Sequence, residues 1–148
     1  MTKVYVAGPM SGIPQFNYPA FLEAAARLRE HGLEVLCPAE MDTPEMQEAA
    51  LASKTGNISD LADTGETWGD VLAKDVKLVS DVVDEVCLLP GWVDSRGARL
   101  EAFVALSVQK PVSVLVDGTR RYYDPSYFMN KIAAHTVYQG DVSRYGTS

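Results

Sequence analysis

The sequence PGWVDSRGARLE, residues 90–101, joins a short apolar run at residues 85–89 to a segment with helical periodicity. The run is apolar at nearly every position and is closed by Pro-Gly, which is typical of a buried parallel strand. After the junction, Leu100, Val104 and Val108 recur at helical spacing. The junction therefore predicts a strand, a turn and a helix, with Ser95 near the helix N-cap and Glu101 about two turns in.

Working outward from this junction, strand and helix patterns alternate along the chain. A strand is predicted at 3–7 and a helix at 19–32, where Pro19 marks the start and Gly32 the end. The remaining predicted elements are strands at 33–38, 85–89 and 111–116, helices at 68–81 and from the junction to 108, and a further helix at 125–134. Alternating strands and helices indicate an α/β fold with a parallel sheet. No repeat or linker interrupts the pattern, so we expect one domain, residues 1–148.

Composition narrows the function classes. The chain has 148 residues and a formal net charge of −7, which disfavours a nucleic acid polymer as partner because such binding depends on Lys and Arg. No targeting segment or membrane-length apolar run is present, so we expect a soluble, cytoplasmic protein without a membrane partner. Cys37 and Cys87 lie in apolar runs and are interpreted as reduced core residues.

Several familiar sites are excluded. The Gly-rich turn after the first strand, residues 8–12, lacks the GxGxxG spacing, and no P-loop motif occurs. His31 and His135 have no partner at metal-ligand spacing. We therefore expect neither a metal nor a cofactor.

Two carboxylates are candidate site residues. Glu101 precedes Val104 and Ala105 by three and four residues, and Asp75 lies four residues from both Val71 and Val79, so each is on a predicted core-facing helix stripe. A buried carboxylate is costly unless a ligand or polar partner meets it. The alternatives are that Glu101 complements the helix dipole and that Asp75 is a buried cap or ion pair. Open α/β sheets bind ligands at the carboxyl ends of their strands, close to both predicted positions.

The junction also resembles an anion site. Ser95, Gly97 and the N–H groups of the first helical turn can bind an anion, and Arg96 and Arg99 can add charge. A serine N-cap without a ligand is the alternative.

Three aromatic residues and one long segment have two interpretations each. Tyr5 could hydrogen-bond a neighbouring carboxylate or simply belong to the core. Trp68 and Trp92 could stack on a base or serve only in packing. Residues 39–67 have a weak pattern, with one or two helical turns at 46–52, and form either a substrate-covering segment or a plain surface insertion.

Four pieces between residues 3 and 116 carry a family resemblance: Val4-Tyr5-Val6-Ala7-Gly8, the helix with Asp75, the apolar strand to Leu89, and Ser95-x-Gly97-x-x-x-Glu101. Together they resemble the nucleoside 2-deoxyribosyltransferase superfamily, in particular its smaller members that hydrolyse the N-glycosidic bond of (deoxy)nucleoside 5′-monophosphates. The resemblance fits an α/β, Rossmann-like (flavodoxin-like) open parallel sheet of four to five strands with helices on both faces.

The resemblance also implies residue roles. Glu101 corresponds to the nucleophile, Ser95 to the phosphate-binding serine, Asp75 to the residue that assists departure of the base, and Tyr5 to the residue that orients the glutamate. A small nucleotide or nucleoside is the implied ligand. The residues predicted to bind it are Gly8, Met10, Ser11, Gly12, Asp94, Ser95, Arg96 and Gly97.

Family members are usually homo-oligomers whose sites borrow groups from a neighbour. This implies a homodimer or a higher homo-oligomer, with residues 119–138 available to act in the neighbouring site.

The chain departs from the family pattern at two positions. Phe103 stands where a glycine often follows the nucleophile, and the turn at residues 8–12 lacks the arginine common in the nucleotide hydrolases. Two other functions therefore stay open: a deoxyribosyltransferase on unphosphorylated nucleosides, and a non-catalytic nucleotide-binding or sensor protein.

Overall fold

A computed structural model describes residues 1–61 and 64–136 and contains one five-stranded sheet. The strands are β1 (Lys3–Ala7), β2 (Glu34–Leu36), β3 (Glu85–Leu88), β4 (Val112–Val116) and β5 (Thr119–Tyr122). Their order is β2-β1-β3-β4-β5; the first four are parallel, and β5 pairs antiparallel with β4. The predicted open, Rossmann-like α/β architecture is confirmed. One detail differs, because the sequence patterns indicated no strand at β5.

In the described ranges, six α-helices connect or cover the strands. They are α1 (Tyr18–Glu30), α2 (Pro38–Met41), α3 (Pro44–Ala52), α4 (Trp68–Lys77), α5 (Arg96–Ser107) and α6 (Pro125–His135). Shorter turns of 3₁₀ helix occur at Pro14–Asn17, Ile58–Asp60 and Trp92–Asp94, and a π-helical turn, Leu78–Val82, continues α4. None of the helices in the described ranges combines the length and the apolar composition needed to cross a membrane. Residues 137–148 lie outside the described part of the chain.

The segment at 39–67 is more regular than its sequence pattern indicated. Helices α2 and α3 occupy much of it, and α3 extends the expected helical turns at 46–52. Thr43 caps α3, since its hydroxyl accepts a hydrogen bond from the Met46 amide at 3.2 Å. Proline at the first helical position of both helices favours their starts.

The core has two layers because side chains alternate across a strand. On β1, Val4 and Val6 belong to the layer that contains residues of α1, whereas Tyr5 and Ala7 belong to the layer that contains residues of α5 and α6. Cys37 and Cys87 are free thiols in the α1 layer, as predicted for core cysteines. Tyr5 therefore shares its side of the sheet with α5.

Helix α5 begins as predicted, with Ser95 as its N-cap. The Ser95 hydroxyl accepts a hydrogen bond from the Ala98 amide at 3.2 Å. The buried face of the helix consists of small residues and one glutamate: Ala98, Glu101, Ala102 and Ala105. Val108, the last residue of the apolar spacing from which this helix was predicted, does not face the sheet; it is exposed and forms the C-cap.

The loop between β1 and α1 has an unusual backbone. Gln15, Phe16 and Asn17 all have left-handed φ values, 58°, 51° and 60°, which cost free energy in residues with a side chain. Hydrogen bonds hold this shape: the Asn17 side-chain amide donates to the Pro9 carbonyl at 2.9 Å, and the Gln15 amide donates to the Ser53 carbonyl at 2.8 Å. Residues 53–58, here called the covering loop, thus support the β1–α1 loop.

Candidate active site

A cavity of about 520 Å³ lies at the carboxyl ends of β1 and β3. These two strands are neighbours in the sheet, with β2 beyond one and β4 beyond the other. The strand order therefore reverses between them, and such a switch point opens a crevice for ligands. The cavity walls come from the turn after β1, the turn after β3, helices α4 and α5, and the covering loop.

Ten of the eleven predicted site residues line this cavity: Tyr5, Gly8, Met10, Ser11, Asp75, Asp94, Ser95, Arg96, Gly97 and Glu101. Gly12 is the exception. It borders a neighbouring depression, where its amide donates to the Gly56 carbonyl at 2.8 Å. Gly12 thus connects the β1–α1 loop to the covering loop and does not line the cavity.

Glu101 is the most unusual residue of the site. Its side chain projects from the second turn of α5 into the cavity with only 6% of its surface exposed, and its Oε2 atom is buried without a hydrogen-bond partner in the described part of the chain. Burial raises the pKa of Glu101 to about 8; a hydrogen bond with Tyr5 opposes this shift, and the charge of Asp75 adds to it. A positive charge brought beside this carboxyl would lower its pKa and favour loss of its proton.

Glu85 shows how this fold treats a buried glutamate that needs no ligand. It lies at the start of β3, 4% exposed, and accepts hydrogen bonds from Ser113 at 2.7 Å, Tyr122 at 2.7 Å and Arg120 at 2.9 Å and 3.0 Å. Both of its oxygens are satisfied, and Arg120 balances the charge. The Oε2 atom of Glu101 has no such partner in the described part of the chain. Because buried polar atoms are normally hydrogen-bonded, this contrast indicates that a bound ligand supplies the partner of Glu101.

Tyr5 connects the two candidate carboxyls. Burial, the negative charges of Glu101 and Asp75, and hydrogen bonding of the phenol toward both carboxyls raise the pKa of Tyr5 far above its usual value. Burial also raises the pKa of Asp75 to about 6, against the hydrogen bond from Tyr5. A phenol can donate one proton and accept another, so Tyr5 is able to pass a proton between the two carboxyls. The three groups form one coupled proton-bearing unit.

The turn after β3 supplies the other end of the cavity. Ser95, Arg96 and Gly97 lie at the start of α5, where the first amides have no partner within the helix. The Ser95 hydroxyl already accepts from the Ala98 amide, but it retains its own proton for donation. The turn therefore presents donors to an anion at the positive end of the helix dipole.

The two arginines of this turn differ. Arg99 donates to the Val93 carbonyl at 2.7 Å and to the Thr136 hydroxyl at 3.1 Å, and it does not line the cavity. Arg96 lines the cavity, with its guanidinium carbon 5.8 Å from the centre of the Trp68 ring. The prediction that Arg99 adds charge to an anion site thus fails, since its guanidinium is used in structural contacts.

The turn after β1 approaches the site closely. A Cβ atom on Gly8 would lie 2.8 Å from the Leu89 Cβ, so only glycine lets β1 continue beside the end of β3. Met10 and Ser11, which follow, line the cavity as predicted.

The structure separates the two tryptophans. Trp92 is 4% exposed and packs against Phe128, with ring centres 6.0 Å apart, so its packing interpretation is confirmed. Trp68 is 55% exposed and lines the cavity. Val71 is also exposed and borders the cavity, so the prediction of a core-facing stripe on α4 was wrong at that position.

Besides Trp68, seven lining residues are not among the predicted site residues: Ala7, Pro9, Phe21, Pro38, Ile58, Val71 and Ala98. Ile58 belongs to the covering loop, so a residue from the 39–67 segment does reach the cavity. The only sequence signal for this position was an apolar residue in a segment without helical or strand periodicity. Phe103, which departs from the family pattern, is 43% exposed and does not disturb the buried face of α5.

No cluster of three or more His, Cys, Asp or Glu side chains within residues 1–61 and 64–136 is arranged to hold a metal ion. The polar side chains of the cavity are three carboxyls (Asp75, Asp94 and Glu101), the phenol of Tyr5, two hydroxyls (Ser11 and Ser95) and the guanidinium of Arg96, and backbone amides accompany them. This set suits proton transfer and attack by a carboxylate at an electrophilic carbon, with an anion held about two helical turns away.

Comparison with known proteins gives one family. No curated protein matches the chain. A family model described as "Domain of unknown function (DUF4406)" matches residues 2–114, which is 113 of the 148 residues and includes all eleven predicted site residues. The chain therefore belongs to the DUF4406 family.

Proposed function

We propose that this protein hydrolyses the N-glycosidic bond of a (deoxy)nucleoside 5′-monophosphate, releasing the free base and (deoxy)ribose 5-phosphate. The observation that carries the proposal is Glu101, buried at the cavity wall with an unpartnered Oε2 and linked through Tyr5 to a second carboxyl. Most glycosidases cleave the glycosidic bond with two carboxyl groups that flank it, through an oxocarbenium-like transition state.

The reaction needs two carboxyls in different protonation states. Burial raises the pKa of Glu101 to about 8 and that of Asp75 to about 6, so near pH 7 the pair holds about one proton. Before substrate binds, this proton resides mainly on Glu101, whose pKa is the higher of the two. Passing it through the phenol of Tyr5, which takes the proton from Glu101 and gives its own to Asp75, leaves Glu101 ionised and Asp75 protonated. Positive charge developing on the sugar favours this second arrangement.

In the first step, a Glu101 carboxylate oxygen attacks C1′ while the bond from C1′ to the base nitrogen breaks. The base leaves with that electron pair and takes the proton of Asp75, and an ester joins the sugar to Glu101. Water then attacks C1′, gives a proton to the Asp75 carboxylate and displaces Glu101. The two carboxyls end with the one proton they began with.

The anion end of the cavity positions the substrate. Ser95 and the Gly97 amide hold the 5′-phosphate at the start of α5, and Glu101 lies six residues further along the same helix. Six residues of α-helix rise about 9 Å, which leaves room for a sugar between the phosphate and the carboxylate. Met10 and Ile58, on the β1–α1 loop and the covering loop, lie at the apolar walls available to the base.

The test is a chromatographic screen of ribo- and deoxynucleoside 5′-monophosphates for free base. We expect release from at least one monophosphate by the wild type and none by Glu101→Gln. Glu85→Gln is the matched control, because it changes a buried glutamate outside the cavity; we expect it to retain activity below its unfolding temperature.

The other outcomes separate the rival functions. Release by Glu101→Gln at the wild-type rate would remove Glu101 as the nucleophile. Base exchange between a deoxynucleoside and an added free base, without release from monophosphates, would indicate a transferase. Tight binding without any free base would indicate a nucleotide-binding protein.

A further inference from the structure

Helices α4 and α5 both line the cavity, and their N-terminal ends lie at the same end of it. At one end, a Cβ on Gly97 would lie 3.7 Å from Cη2 of Trp68, so the indole rests over the first turn of α5. At the other end, Asp75 and Glu101 share the phenol of Tyr5. Trp68 and Asp75 are seven residues apart, about 10 Å along α4. Trp68 therefore lies at the anion end of the cavity and away from the two carboxyls.

Arg96 has its guanidinium at this same end. Within the described residues it forms no ion pair or hydrogen bond, and its guanidinium carbon lies 5.8 Å from the centre of the Trp68 ring. Arg99 differs, because it donates to a carbonyl and a hydroxyl. Arg120 also lies over a ring, 5.8 Å from the centre of Tyr122, but its charge is balanced by the ion pair with Glu85. A cation over an aromatic face, with no carboxylate to neutralise it, keeps its charge available to a ligand.

We infer that Trp68 and Arg96 act as a pair that selects phosphorylated substrates: the indole holds the guanidinium over the first turn of α5, where it meets the 5′-phosphate. Arg96 contacts the substrate, and Trp68 is a positioning residue that acts through Arg96. The inference rests on the proposed function, since it deepens the same site. The unpartnered Oε2 of Glu101 in the same cavity is the independent sign that a ligand belongs there.

The pair replaces a group that the turn after β1 lacks. Residues 8–12 contain no basic side chain, and the chain as a whole carries a net charge of −7, which repels a phosphate dianion. A planar guanidinium that is already ordered loses less side-chain entropy when it forms a bidentate contact with phosphate. Arg96 thus attracts the phosphate locally, although the net negative charge of the chain repels it.

A binding experiment tests the pair without any turnover. The chain has two tryptophans, and Trp92 is buried against Phe128, so a fluorescence change caused by a ligand at the start of α5 comes from Trp68. We expect ribose 5-phosphate to change the emission of the wild type, and ribose to leave it unchanged. Trp68→Phe should abolish the signal, and Arg96→Met should shift the response to much higher ligand concentration. No response of the wild type to millimolar ribose 5-phosphate overturns the inference.

Kinetics test the division of roles. Arg96→Met should raise KM for a monophosphate roughly 10- to 100-fold, as expected for loss of a charge-assisted contact, and leave kcat and the KM of the free nucleoside within about twofold. Trp68→Ala should raise the same KM about three- to fivefold, and Trp68→Phe should recover most of it. In the Arg96→Met background, Trp68→Ala should have no further effect, because the indole acts through the guanidinium.

Two results overturn the pair. One is an equal rise in KM for phosphorylated and free nucleosides in Trp68→Ala, which would place the indole against the base or sugar. The other is an unchanged KM in Arg96→Met. Failure of the proposed function looks different: ribose 5-phosphate would still change the Trp68 emission although no base is released.

Discussion

Two buried glutamates in this protein have opposite surroundings. Glu85 accepts hydrogen bonds from three residues, including Arg120, whereas Glu101 keeps one oxygen unpartnered beside a cavity. Leaving a buried polar atom unsatisfied costs roughly 1–3 kcal/mol, and more for a charged group. The fold therefore tolerates at Glu101 a cost that it avoids at Glu85, as is common where a residue must react.

Tyr5→Phe tests whether the phenol couples the two carboxyls. Phenylalanine fills the same buried space, so we expect the fold to persist while kcat for base release falls by roughly 10- to 100-fold, since proton transfer between the carboxyls is interrupted. The pH dependence of kcat should also shift, because both carboxyls lose a hydrogen-bond partner. Measuring the pH-rate profile checks both points.

Tyr122→Phe is the control for this substitution. It removes a hydroxyl bonded to Glu85, outside the cavity, so it should lower stability without changing the pH-rate profile. A Tyr5→Phe protein with the wild-type kcat and pH profile would contradict the coupling.

Residue types and spacing were sufficient to predict Glu101, Ser95 and Asp75 but not the position of Trp68. A helix face that borders a cavity has the same periodicity as a face in the core. The sequence of α4 therefore could not show which of its apolar residues face the cavity and which face the core. The partners of Glu85 lie 28 to 37 residues away, and no local pattern connects residues at that distance.

At the scale of elements, the cavity depends on two loops that support each other. The Gly12 amide donates to the Gly56 carbonyl at 2.8 Å, and the Gly56 amide donates to the Ser53 hydroxyl at 3.0 Å. Ser53 in turn donates to Asp60 at 2.6 Å. These bonds place Ile58 at the cavity wall.

Gly56→Ala tests this support. Gly56 has φ +73°, and an added Cβ would lie 2.1 Å from the Ile13 carbonyl oxygen, so the two loops must separate. We expect a loss of stability of about 1–3 kcal/mol and a higher KM, because a cavity wall moves. Denaturant unfolding and steady-state kinetics measure the two effects.

Gly32→Ala provides the comparison. Gly32 has a similar φ, +80°, but nothing lies within 4 Å of an added Cβ. It should show only the backbone cost of about 1 kcal/mol and an unchanged KM. Equal effects of the two substitutions would show that the contact between the loops does not matter to the site.

The elements that could be predicted are those with local signals. Ser95 marked the start of α5, and Pro19 and Gly32 bracketed α1 to within two residues. Strand β5 reads Thr-Arg-Arg-Tyr, a polar edge strand that depends on β4 and on Glu85 for its place, so its own sequence gave no sign of it. Helices α2 and α3 were underestimated because they are short and carry small or polar residues.

At the scale of the whole molecule, the sheet separates the polar network from the cavity. Glu85 begins β3, and the cavity lies beyond the end of the same strand. Strands β4 and β5 and helix α6 contribute no residue to the cavity lining. The oligomeric state implied by the family resemblance stays a prediction, and part of the segment assigned to it, residues 137–138, lies outside the described residues.

Stability should depend on pH because of Glu101. Its pKa is raised to about 8 in the folded protein from 4.5. Between about pH 4.5 and pH 8 the folded protein therefore keeps a proton on Glu101 that the unfolded chain releases. The free energy of unfolding is highest below about pH 4.5 and decreases as the pH rises toward 8. We expect wild-type stability to fall by a few kcal/mol over this range, and Glu101→Gln to remove most of that slope.

Thermal unfolding at several pH values measures the effect. The difference in Tm between Glu101→Gln and the wild type should widen from pH 5 to pH 8. Glu85→Gln should instead be less stable than the wild type throughout, since it disturbs a satisfied network. Parallel Tm curves for Glu101→Gln and the wild type would contradict the raised pKa.

The left-handed residues Gln15, Phe16 and Asn17 have a consequence for protein engineering. Their backbone shape is costly, and the hydrogen bond from Gln15 to Ser53 helps to offset that cost. A designer who grafts the β1–α1 loop of this protein onto a related scaffold must therefore transplant the covering loop with it. The two segments are far apart in sequence but form a single exchangeable module.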